Sequence, residues 1–123
     1  MGKVKLLTRE QVLGARVQEK VIEVPQWGGS VRIRELTKQK ELLLRSVART
    51  ADGQRDEAEF EKQLFLQSVV EPQFTAEDYE LLKQQAAAPL NLIVTEIIKL
   101  NFGGLEPAKA FEERERQFFP GNQ

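Results

Sequence analysis

Apolar residues change their spacing along this chain, and the change divides it. From Val21 to Arg34 they alternate with polar ones, most clearly in Val31-Arg32-Ile33-Arg34, the period of a strand with one covered face. Gly28-Gly29 lies between two such runs and reads as a two-residue hairpin turn, which needs the positive φ that glycine supplies. With the turn there, Trp27 faces Ser30, Val24 faces Ile33 and Glu23 faces Arg34. Ile22, Val24, Val31 and Ile33 then share an aliphatic face, and Val21, Glu23, Pro25, Trp27, Arg32 and Arg34 share the other. Pro25 has no N–H to give a ladder, so its strand belongs at an edge.

Elsewhere the period is helical. Thr8 with Gln11 forms a capping box before a short helix from Arg9 to Val17. Thr37 caps a helix over Lys38 to Arg49, with Leu42, Leu43 and Val47 as its apolar stripe and Lys38, Lys40, Glu41, Arg45 and Arg49 outward. After a polar loop at Thr50 to Arg55, the Asp56 to Val70 segment starts with acids and becomes apolar nearly all round, so it should be the most buried helix. Thr75 and Asp78 make a second capping box, with Phe74 and Tyr79 at the positions of a hydrophobic staple, and open a helix from Ala76 to near Ala87. Pro89 kinks that helix or starts the next, whose face is Leu90, Ile93, Val94, Ile97, Ile98 and Leu100 and whose cap is Asn101-Phe102-Gly103-Gly104.

The expected fold is therefore α+β and mainly helical, an N-terminal β-hairpin followed by a small bundle of about four helices. Residues 1–19 form a helical arm, 20–105 the hairpin-and-bundle domain, and 106–123 a charged tail that reads as flexible and ends in the aromatic pair Phe118-Phe119.

Composition narrows the chemistry. The chain has 123 residues, enough for one small domain. It has no cysteine and no histidine, so thiol chemistry, disulfides and the usual general base and metal ligand are excluded. Carboxylates stand where helix starts and a charged tail account for them, and a calcium loop begun at Asp52 has Glu57 where glycine belongs and Gln63 where the bidentate glutamate belongs. No phosphate-cradling loop is present, so no catalytic residue, metal or cofactor is expected, and an enzyme is not. No signal-peptide core and no run of about 18 apolar residues occurs, which predicts a soluble intracellular protein away from membranes.

The net charge of −1 hides an asymmetry. Residues 1 to 55 hold 12 Lys and Arg against 6 Asp and Glu, and residues 56 to 123 hold 6 against 13. The simpler reading places the two poles on opposite sides of one solvated domain, and the other is head-to-tail self-association. Arg32 and Arg34 beside Trp27 have the form of a nucleic-acid-binding ribbon, but a pI near 5.6 and the lack of a dense basic stripe favour a protein partner. Trp27 fits equally as a binding anchor or as a core residue folded onto a helix.

The residues Ile22, Val24, Pro25, Trp27, Gly28, Gly29, Val31, Ile33, Arg34, Leu36 and Thr37 follow the pattern V-x-V-P-x-W-G-G-x-V-x-I-R-x-L-T, with isoleucine for the first valine. In this, in the Leu7-Thr8-Arg9-Glu10-Gln11 opening and in the Leu82 to Gly104 segment, the chain resembles the tail assembly chaperones of long-tailed bacteriophages and prophages. The resemblance implies a non-enzymatic factor in the bacterial cytoplasm that binds the tape measure protein, keeps it soluble, helps recruit tail tube protein and is missing from the mature virion. Some members of that family are also made as a longer product, with a second domain joined to the C-terminal end by frameshifting. The candidate contact surface is Pro25, Trp27, Arg32 and Arg34, with Phe118 and Phe119 of the tail. A structural neck or connector subunit of the virion is the alternative, with nucleic-acid binding a more distant one.

Overall fold

Pro25 ends the first strand because it cannot donate to a ladder, and the chain turns there rather than at Gly28-Gly29. In the computed structural model, which describes residues 4–102, β1 (Glu19–Val24) leads into a short 3-10 turn (Pro25–Trp27) and β2 (Gly29–Arg34). The Gly28 N–H donates to the Pro25 carbonyl at 3.0 Å, and Gly28 takes φ 73° and ψ 22°, the left-handed conformation that closes the turn. The last rung is Val24 opposite Gly29, and Ile22 faces Val31, Lys20 faces Ile33 and Glu19 faces Arg34. The expected pairing of Val24 with Ile33 is thus corrected by a four-residue loop. The slip is even, so the aliphatic face is unchanged: Ile22, Val24, Val31 and Ile33 are all buried.

A short α1 (Arg9–Leu13) precedes the hairpin, opened by the Thr8–Gln11 box, ended at Gly14 and shorter than the expected Arg9 to Val17. After it come α2 (Lys38–Val47), α3 (Glu57–Ser68), β3 (Val69–Glu71), α4 (Ala76–Leu82) and α5 (Ala87–Phe102). The third strand is an addition to the expected hairpin. Val69 and Glu71 leave the helical path and pair antiparallel with β2, giving the order β1-β2-β3 with β1 at an edge, as Pro25 requires. The fold class stands as expected, α+β and mainly helical, with four helices after the hairpin.

Helix α3 occupies the centre, packed against α2, α4 and α5, and from Glu59 to Ser68 none of its residues is exposed. Phe60, Leu64 and Phe65 meet the inner face of the sheet and the Ile93, Val94 and Ile97 side of α5 in one cluster. Asp56 caps α3 through the Glu59 N–H at 3.1 Å, and the Thr75–Asp78 box opens α4. Phe74 and Tyr79 each lie 5.5 Å from the Phe65 ring, so the expected staple closes around that ring. Pro89 lies in the first turn of α5, where its missing N–H has no helical partner to lose. The expected C-cap at Gly103-Gly104 lies outside the described residues.

The stripe on α2 is corrected. Glu41, Leu44 and Ala48 point inward, whereas Leu42, Leu43 and Val47 are 51%, 57% and 46% exposed. Glu41 is held by the Lys38 Nζ at 2.7 Å, and a carboxylate with that partner tolerates the inward position.

Ion pairs join the oppositely charged halves. Lys20 on β1 reaches Glu96 on α5 at 2.7 Å, and Arg32 reaches Glu71 at 3.1 Å. The Lys20 ammonium holds the Glu96 carboxyl below the ordinary carboxylate range, partly opposed by burial and helped by Lys99. A depressed carboxylate pKa adds stability above the unfolded-state value of about 4.3, and that stability is lost as pH falls through the folded value. Glu96→Gln is expected to lower the urea midpoint at neutral pH by an amount matching about 0.5–1 kcal/mol, and the gap should close under acid. A gap that persists at low pH would assign the loss to packing.

Candidate protein-binding surfaces

The proposed contact set divides between two faces of the sheet. Trp27, at the end of the 3-10 turn, is half-buried, and its ring lies 6.4 Å from Phe74, which in turn meets the fully buried Phe65. The turn breaks the alternation that would place Trp27 beside the arginines, and the ring packs at the edge of the core with part of its surface open. Pro25 is exposed at the hairpin tip.

Arg32 and Arg34 lie on the open face. Arg34 contacts Glu19 at 2.7 Å, and Arg32 lies 3.8 Å from Glu19 and 3.1 Å from Glu71. The row Arg34, Glu19, Arg32, Glu71 alternates in sign across the three strands, leaving little net field for a polyanion. Phe118 and Phe119 lie outside the described residues.

Two apolar surfaces were not among the candidate contacts. The first is the exposed aliphatic surface of α2, where Leu42, Leu43 and Val47 stand open and a depression of about 110 Å³ runs along the α2–α3 seam, lined by Lys40, Leu43, Leu44 and Val47 with Gln63 and Gln67 of α3. The second is the segment before β1, where Val4, Leu6, Leu7, Val12 and Leu13 are all exposed and α1 buries nothing. The Leu42-Leu43-Leu44 run carried no signal for the first, because it fits more than one helical phase, and the fold buries Leu44 alone of the three.

Burial, with Glu61, Glu80 and Glu59 nearby, pushes the Tyr79 hydroxyl up from its ordinary value, further from ionisation at neutral pH. Asp52 is held low by the Thr50 hydroxyl and by Gln54, contacts that close its loop. No group of three or more acidic residues is placed to hold a metal ion among the described residues, and no helix there is long and apolar enough to cross a membrane.

Fold and surfaces together define an α+β domain with helices on one face of a three-stranded sheet and aliphatic side chains left open on α2 and on the arm. Comparison with protein-family models, with curated proteins and with solved structures gives no match.

Proposed function

We propose that this chain is a tail assembly chaperone, acting without cofactor in the bacterial cytoplasm. It binds the tape measure protein of a long-tailed phage or prophage, keeps that long helical protein soluble, helps recruit tail tube subunits, and is left out of the finished particle. The observation that carries this reading is the open aliphatic row Leu42, Leu43 and Val47, beside the hairpin motif that resembles the family. The task calls for reversible apolar contact rather than bond chemistry. A helix of the tape measure laid along α2 would seat its apolar side chains there, with many copies along one partner making weak contacts additive.

The test is co-expression with the tape measure protein. Leu43→Asp/Val47→Asp alters exposed positions, so the variant should stay folded within about 1 kcal/mol. It should lose most of the co-purified tape measure and leave that protein insoluble. Equal solubilisation by parent and variant would remove α2 from the contact, and failure of the parent would overturn the chaperone reading. Detection of the chain in purified tails would favour the neck or connector alternative.

A further inference from the structure

Two surfaces of this domain complement each other and do not meet within it. The first is the N-terminal arm, in which every residue from 4 to 18 is exposed. A five-residue helix that buries nothing gains too few hydrogen bonds to offset nucleation, so the capped α1 has no support of its own. Leu6 and Leu7 before it, and Val12 and Leu13 on it, are exposed to water. Over residues 1–18, Lys3, Lys5, Arg9 and Arg16 stand against Glu10 alone, a net charge of +3.

The second surface is a groove of about 450 Å³ between α3 and α5, floored by Phe60, Leu64, Val94 and Ile98 and edged by Glu57 and Glu61. Glu57 is engaged by Arg55 at 2.6 Å, but Glu61 makes no ion pair among the described residues. Asp56 and Glu59 add negative charge to the same end of α3. The groove thus offers an apolar floor with an acidic rim, and the arm offers aliphatic side chains between cations.

From this complementarity we infer that the arm of one copy docks in the α3–α5 groove of a second copy, its leucines over the floor and its cations toward Glu61. The arm's own domain buries none of it, which points to a neighbour as the receiver. Each copy gives one surface and accepts at another, so the contact closes when two copies exchange arms and continues head to tail when they do not. The inference concerns the purified chain alone, so its failure would leave the proposed function standing.

Complementation in sedimentation velocity tests it. Leu6→Asp/Leu13→Asp disables the arm, and Ala58→Arg/Glu61→Lys disables the groove. None of the four side chains is buried, and circular dichroism checks that both variants fold. The parent should form assemblies that grow with concentration and weaken about tenfold or more at about 1 M salt, where rim charges are screened. Each variant alone should be a monomer, and an equal mixture should form a one-to-one pair, since only one working arm and one working groove remain. A parent that is monomeric at every concentration, variants that assemble as the parent does, or a mixture that stays monomeric would each overturn the inference.

Discussion

Phe65→Ala should cost this domain about 4 kcal/mol, a large share of the roughly 5–15 kcal/mol that holds a small domain together. Phe65 is fully buried, and its ring is the one that both Phe74 and Tyr79 meet, each at 5.5 Å. Its removal leaves a cavity and also dissolves two aromatic pairs, each worth about 1 kcal/mol beyond area. Trp27→Ala removes a half-exposed ring that packs at the edge of the core, 6.4 Å from Phe74, so about 2 kcal/mol is expected with unfolding still cooperative. Urea denaturation of both variants measures this. A Phe65→Ala midpoint near the parent's would contradict the central place given to that ring. A Trp27→Ala midpoint near the parent's would return the tryptophan to the surface.

Gly28→Val should lower stability by about 2 kcal/mol, while Gly29→Val should stay within about 0.5 kcal/mol of the parent. The two glycines differ in backbone and not in room. A Cβ at either meets nothing within 4 Å, but only Gly28 has the positive φ, 73°, that a β-branched residue resists. Gly29 already lies in β2, where valine fits a pleated strand. Thermal melts of the pair decide it, and equal losses at both positions would place the left-handed residue elsewhere in the turn.

The hairpin shows what could be read from residues and what could not. Face membership follows from parity, so the core positions Ile22, Val24, Val31 and Ile33 were legible. Register depends on loop length, and Pro25-Gln26-Trp27 forming its own hydrogen-bonded turn carries no signature that outweighs Gly-Gly. Trp27 was misplaced with the register, because alternation was extended through residues that are no longer strand. In α2, the leucine run fits several helical phases, and the phase chosen by the fold admits Glu41 because Lys38 sits within 2.7 Å. Strand β3 is three residues at the apolar end of a helix, too short for any period to show. Both capping boxes and the Thr37 cap were legible because they are local. The surfaces on α2 and the arm were not, since an exposed leucine looks like a buried one in sequence.

At the base of the hairpin, the Leu36 N–H donates to the Asn101 Oδ1 at 2.8 Å, and Asn101 is tied back to the Ile97 carbonyl at 2.9 Å. The Gln18 N–H donates to a Glu35 carboxylate oxygen at 3.0 Å one residue away. The incoming and outgoing strands of polypeptide therefore pass through the same corner. The hairpin tip is the opposite pole, about 20 Å off along β2. Within any longer chain the domain behaves as a side loop on a thread: the polypeptide leading into residue 18 and the polypeptide leaving residue 102 start as neighbours, and the tip projects away from both.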